Sequence, residues 1–365
     1  MTNIFSFKKI ATLILLFVAS LSFLSCGSDD QAQNTSLEVA ATIFPVYSIA
    51  EQIAGDNITV NLLIQPGESP HTFTPSVSTK QITERVNRVY VVDEDFDKAV
   101  INIIDSKSKT LAVSTNIDLL KYEDEHDDHD DHGDHDDDKH KDDDDHDDDK
   151  HKDDDDHDDD KHKDDDHDDE HEDEDCEHDG HDDHDDHGDD HDGHAHGEYD
   201  PHYWLAPNAA IQIGRNIADD MKALDPDNAS DYEDNYQAFK TSIVELNAKL
   251  KADVAPVADI AWIAMHDAWA YFNDAFETNL VGSFEPTGAE TPSPKYLAEL
   301  QEKVDEENAV AIFSEPQLSL TSIQQFIADN DLRTGVMDPL GGVDGRMTYQ
   351  ELLEYNISVL VKTLR

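Results

Sequence analysis

Cysteine is nearly absent from this chain: Cys26 closes an apolar N-terminal leader, and Cys176 lies inside an acidic tract. With Cys26 expected at the lipidated end of the mature chain, Cys176 is the one remaining thiol, so no intramolecular disulfide is expected and the fold must rest on its core. Basic residues are scarce as well, with 26 Lys and Arg against 86 Asp and Glu, a formal charge of −60. Such a field repels nucleic acid and no basic patch invites it, so no nucleic-acid partner is expected. Long apolar runs are missing too. The stretch from Ile10 to Leu24 is shorter than the ~20 residues a membrane-spanning helix needs. Apolar residues make up only 37%, a share lowered mainly by the acidic tract. Setting leader and tract aside leaves enough chain for two ordinary domains.

What is present begins with Lys8 and Lys9 before the apolar leader, the charged-then-apolar pattern of a secretory signal. The leader ends in Phe23-Leu24-Ser25-Cys26-Gly27, which resembles a bacterial lipobox with Phe23 where Leu is more usual. Residues 1–25 are therefore expected to be a signal peptide cleaved before Cys26. Lipidation of Cys26 would anchor the chain at the periplasmic or extracellular face of a membrane, because several acyl chains hold stably where one does not. An uncleaved helix and a soluble secreted form are the competing readings. Residues 26–36 are small and polar, a tether.

From about Glu123 to Glu198 the chain is almost wholly Asp, Glu, His and Lys. Residues 121–200 hold 46 acidic residues against seven Lys, and so carry −39 of the formal charge; eighteen of the 21 His fall between His126 and His196. Acidic runs are usually solubilising tails, but His at every third to sixth position points to metal instead. An eleven-residue repeat, KHKDDDDHDDD and its near copies, runs from Lys139 to Asp169. Like charges at every spacing would repel along a helix, so residues 123–198 read as a disordered His/Asp-rich loop. Without fixed geometry its imidazoles are weak zinc sites, with His126, His129, His132, His135, His181, His184, His187, His191, His194 and His196 as candidates. Calcium on the Asp runs is a rival. Cys176 is a soft-metal ligand, an interchain partner or a bystander.

Short apolar runs alternate with helical patterns on either side of the tract. Leu37–Ala41, Val60–Ile64, Val89–Val92 and Leu111–Val113 read as strands, with helices at Val46–Ala54, Thr79–Asn87 and Phe96–Ile104. After the tract, strands are predicted at Ala261–Met265, Leu280–Ser283, Val310–Phe313 and Gly335–Met337. Helices are predicted at Ala268–Glu277, Pro294–Glu307, Leu320–Asn330 and Tyr349–Leu364. This is the pattern of an α/β protein with two Rossmann-like lobes and parallel sheets covered on both faces. The lobes are placed at 37–228, with the loop inserted, and at 255–365. Between them Tyr232, Tyr236, Phe239, Ile243, Leu246, Leu250 and Val254 form one apolar stripe, so residues 229–254 read as a long rigid linking helix limited by Pro256.

Three His lie outside the tract: His71 in GESPHTFTPS, His202 in YDPHYWLAPN and His266 in AMHDAWAYF. Each is placed after a strand or at a strand-to-helix connection, where open α/β sheets put ligands. Three imidazoles and one oxygen would make a four-coordinate zinc site, although a lone His is more often structural than ligating. Three His with an open position also suit a zinc hydrolase, but no H-E-x-x-H occurs and no base lies in an obvious position beside them. No catalytic residue is assigned.

SPHTF, DPHYWLAP, HDAWAYF, FSEPQ (Phe313 to Gln317) and MDPLGG (Met337 to Gly342) occur in this order, with a His/Asp-rich insert before the second. In these five motifs the chain resembles the zinc-binding branch of the metal solute-binding lipoproteins of bacterial ABC importers, from Leu37 to the C-terminus apart from the insert. The resemblance implies two lobes joined by a long helix, metal held in the cleft between them, and His71, His202 and His266 as ligands. It also implies delivery of zinc to an ABC permease, by a protein expected to be a monomer. In the manganese and iron branch an Asp matching Asp338 binds metal and a carboxylate replaces the third His. Here Asp338 is either the fourth ligand, with water as the alternative, or the turn-forming Asp before Pro339. Glu315 is read as shaping the cleft. The segment VVDEDFDKAV, at 91–100, departs from the family in lacking its glycine.

The reading is thus a receptor for zinc, with the loop as collector or sensor. A manganese or iron receptor of the same family and a metal-scavenging adhesin are the alternatives. Since only neutral imidazole ligates, zinc affinity should fall as pH drops below about 6.5, where free imidazole protonates. A competition titration from pH 7.5 to 4.5 checks this, and unchanged binding at pH 4.5 would count against a His site.

Overall fold

The computed structural model describes residues 37–121, 198–284 and 294–365. The signal peptide, Cys26, the tether, Cys176 and all the tract His from His126 to His196 lie outside the described residues.

The first half places strands β1 (Glu38–Ala41), β2 (Thr59–Leu62), β3 (Arg88–Val91) and β4 (Thr110–Ala112) in one sheet, with α1 (Phe44–Ala54), α2 (Val77–Arg85) and α3 (Lys98–Ile101) between them. All pairs are parallel, in the order β2-β1-β3-β4. Next come α4 (Pro207–Leu224) and α5 (Ala229–Val254). The second half repeats the scheme with β5 (Ala261–Ala264), α6 (Ala270–Phe276), β6 (Asn279–Ser283), α7 (Pro294–Glu307), β7 (Ala311–Ser314), α8 (Gln324–Asp329), β8 (Arg333–Val336) and α9 (Tyr349–Leu364). Its parallel order is β6-β5-β7-β8. The expected α/β class with two parallel sheets is what the structure shows. Strand order reverses between β1 and β3, and again between β5 and β7, and in such sheets ligands bind beyond the carboxyl ends at that point.

Apolar runs became strands because both faces of each sheet are covered. Val39, Ala41 and Tyr90 point into one core while Ala40, Val89 and Val91 point into another. Trp262 and Ala264 share the first of these cores, whereas Ala261 and Ile263 join Leu300, Val304 and Ile312 on the far side. One continuous apolar cluster therefore runs from the first sheet to the second, and α5 carries it. The seven stripe residues predicted from spacing are the buried residues of this helix, whose 26 residues span on the order of 39 Å. Among the described residues, no helix is long and apolar enough to cross a membrane.

The 18-residue α4 has no counterpart among the expected helices. Its buried face is Ala209, Ala210, Ile213, Gly214, Ile217, Ala218 and Met221, an apolar stripe at helical spacing that mixes small and large side chains. Small residues there admit α5, for a Cβ on Gly214 would lie 3.1 Å from the Phe239 ring. The helix expected at Phe96–Ile104 contracts to α3, because Asp93 Oδ1 accepts from the amides of Asp95 and Phe96 and holds a turn ahead of it. The helix expected at Leu320–Asn330 opens as a 3₁₀ turn, Leu320–Ile323, before α8.

Phe239 is buried between Gly214 and Tyr349, whose ring centroid lies 6.3 Å away. Phe239→Ala should lower unfolding free energy by about 3–5 kcal/mol, read from chemical denaturation, because it empties the core that α5 shares.

Candidate metal centre

His71 sits on a 3₁₀ turn, Pro70–Thr72, in the connection leaving β2. His266 follows β5 directly, at a carboxyl end beside the strand-order reversal. His202 does not follow a strand; it opens a 3₁₀ turn, His202–Leu205, just before α4. The three nevertheless meet. One nitrogen from each imidazole can be chosen so that all three lie within 4.8 Å of one another. Ring centroids are 4.9 Å apart for His202 and His266, 5.1 Å for His71 and His266, and 5.7 Å for His71 and His202. His202 is buried, His266 half-buried and His71 exposed.

Buried carboxylates orient two of the rings. Asp200 Oδ1 lies 2.7 Å from His202 Nδ1 and also accepts the His202 backbone N–H at 2.8 Å. Both oxygens of Glu315 lie 3.2 Å from His266 Nδ1, and Oε1 accepts from Trp269 Nε1 at 3.0 Å. An ionised carboxylate can only accept, so each contact places the ring proton on Nδ1 and makes Nε2 the nitrogen able to ligate a cation. Asp200 stands two residues before its ligand in DPHYW, and Glu315 comes from the carboxyl end of β7, the neighbour of β5. The positioning role of Asp200 escaped the sequence reading. The signal available in the sequence was an Asp two residues before the His, a spacing that lets its carboxylate reach both the amide and the ring of His202.

Aromatic rings wall the group. Phe96 meets His71 edge-on with centroids 5.4 Å apart, and lies 6.1 Å from His202 and 5.5 Å from Trp204. Tyr203 donates to Val92 O at 2.7 Å, and Trp204 Nε1 donates to Pro339 O at 2.8 Å. Consecutive residues of DPHYW thus serve the site, the first sheet and the second half.

Asp338 is not part of the three-histidine group. Its Oδ1 accepts the amides of Leu340 and Gly341 at 2.9 and 3.0 Å, and its Oδ2 lies 3.0 Å from Arg346 Nε in an ion pair without hydrogen-bond alignment. Asn356 fixes its main chain on both sides, at 2.8 and 2.7 Å. The carboxylate shapes a turn in which Gly342 has φ +80°, and a Cβ there would come within 2.7 Å of Pro66. Only glycine fits that approach. Through it the turn supports the segment that leads to His71.

Asp97, beside Phe96, is buried, its Oδ2 accepting from Val92 N. Burial pushes its carboxyl up to about 8. The native state therefore keeps a proton that the unfolded chain gives up above about pH 4, and this contribution to stability declines as pH rises from about 4 to 8. Asp97→Asn, which is neutral throughout, should be more stable than wild type at pH 8 and lose that advantage toward pH 4, as thermal melts across this range would show.

A family model described as zinc-uptake complex component A, periplasmic (ZnuA), matches residues 39–363. The chain is 32% identical over 159 residues to the high-affinity zinc uptake system protein ZnuA of Brucella abortus (strain 2308), a match covering 43% of this chain and 48% of that one. It is 23% identical over 365 residues to the zinc-binding lipoprotein AdcA of Streptococcus pneumoniae (strain ATCC BAA-255 / R6), covering 98% of this chain and 61% of the relative. The chain thus spans about half to three fifths of the length of these curated relatives. A solved structure described as the crystal structure of ZnuA shares the fold with a TM-score of 0.63 at 20% identity, over 90% of this chain and 100% of that one. With the family model spanning both sheets and all three histidines, the chain belongs to the periplasmic zinc-uptake component A (ZnuA) family.

Proposed function

We propose that this protein is an extracytoplasmic receptor that captures zinc on His71, His202 and His266 and hands it to an ABC permease, without chemistry of its own. The observation that carries the proposal is the convergence of three imidazoles, two of them with Nδ1 held by a buried carboxylate. Neutral nitrogen ligands with an oxygen in the fourth place suit zinc better than manganese, which favours carboxylates, and an iron(II) site of this kind would carry a carboxylate among its ligands. That argues against the manganese or iron reading. We assign the fourth place to water and Asp338 to the turn that its carboxylate already holds. The names of the relatives, zinc uptake and zinc-binding, agree with this choice.

The tract at 123–198 acts in this scheme as a weak collector or sensor, joined to the chain four residues ahead of His202, raising the local concentration of loosely bound zinc. Cys26 supplies the lipid anchor that keeps receptor and permease on one membrane.

Metal analysis with a chelator competition on three chains tests the proposal. Wild type should hold one tight zinc and several weak ones. His266→Ala should lose the tight zinc and keep the weak ones, whereas deletion of residues 123–198 should do the reverse. Undiminished tight binding in His266→Ala would refute the ligand set.

A further inference from the structure

Tyr271 lies on α6, in the second half, yet its hydroxyl serves the first. It accepts the Leu120 N–H at 2.7 Å and donates to the Asp200 carbonyl at 3.0 Å. The phenol is nearly buried, at 6% exposure, and its ring stacks edge-on against Tyr203 with centroids 6.4 Å apart. Its neighbours are the two chain ends that bound residues 122–197. Those ends are fastened to each other: Lys121 pairs with Tyr199 in an antiparallel bridge, and Asp200 N donates to Leu120 O at 2.9 Å. The Lys121 ammonium also pairs with Glu198 and lies 5.4 Å above the Tyr199 ring. Asp200 joins this fastening to the site, for its carbonyl takes the Tyr271 proton while its carboxylate takes His202 Nδ1.

We propose that Tyr271 is a positioning residue for the metal site: its single hydroxyl clasps both chain ends and, through Asp200, holds His202 in its ligating orientation. The proposal rests on the three-histidine zinc reading. Removing the hydroxyl takes a shared partner from the Leu120 amide and the buried Asp200 carbonyl, and a buried carbonyl that loses a hydrogen bond shifts to recover one. Asp200 carries the His202 contact with it when it shifts. Linkage adds a second consequence: if the clasp favours zinc, zinc must favour the clasp by the same factor.

Zinc affinity by chelator competition, on the full chain, is compared for wild type, Tyr271→Phe, Asp200→Ala and the double variant. Tyr271→Phe should weaken zinc binding at least tenfold, and in the Asp200→Ala background the same change should weaken it less than twofold, because the path to His202 is already cut. Affinity within twofold of wild type, or an undiminished tenfold loss in the double variant, would overturn the assignment. A purely structural hydroxyl would lower the melting temperature of both backgrounds without this coupling. Should Tyr271→Phe not fold, amide hydrogen exchange on wild type decides: zinc should slow exchange at Leu120 at least tenfold, and equal rates with and without zinc would overturn the clasp. A wild type that holds no tight zinc would fail the site reading and take this inference with it. Tight wild-type binding with an unaffected Tyr271→Phe would fail the clasp alone.

Discussion

An imidazole selects a cation only when something decides which of its nitrogens carries the proton, and here two buried carboxylates make that decision. The Asp200 and His202 pair and the Glu315 and His266 pair convert two aromatic rings into oriented lone pairs. Everything around them keeps those carboxylates buried and aimed. Trp269 Nε1 holds Glu315 from one side, and the main-chain amide of His202 holds Asp200. A carboxylate left partly solvated would turn toward water, and the rings would follow.

The two halves must also stay in register, because the imidazoles come from both. The DPHYW segment and the turn after Asp338 supply much of that register. Trp204 reaches Pro339, Tyr349 donates to the Trp204 carbonyl at 2.7 Å, and Gly342 sits against Phe44 and Pro66. Beneath them, α5 threads one apolar cluster through both sheets. A wide hinge opening would break this cluster, so the geometry favours small loop adjustments over large lobe rotations.

Much of this was legible in the sequence, for identifiable reasons. The α5 stripe is made of large side chains at regular spacing, and its seven members could be read directly. Strands covered on both faces show as continuous apolar runs, and all eight were located to within two residues. The α4 helix carries a readable stripe as well, Ala210, Ile213, Ile217 and Met221 at spacings of three and four, shorter and with fewer large side chains than that of α5. Asp97 was hidden: a carboxylate in an acidic segment reads as solvated surface, and only the fold reveals that it turns inward to Val92. The three histidines could be named from their motifs; Asp200 lies in the same motif as His202, whereas the pairing of Glu315 with His266 depends on a register between β5 and β7 that no local pattern records.

Exposure of the three rings is unequal, and that inequality follows from where each is anchored. His202 is pinned between Asp200 and the aromatic residues of its own turn, and His266 stands at the end of a central strand; both are withdrawn from water. His71 rides a short 3₁₀ turn in a long connection, supported from below by Pro66 and flanked by Phe96. The rigid pair defines direction and distance, while the exposed ring provides the side on which the site meets solvent. On the proposed receptor reading the cation must be released, and three equally buried imidazoles would have to disturb the core to do so. Placing His71 on a surface turn confines that adjustment to an exposed segment.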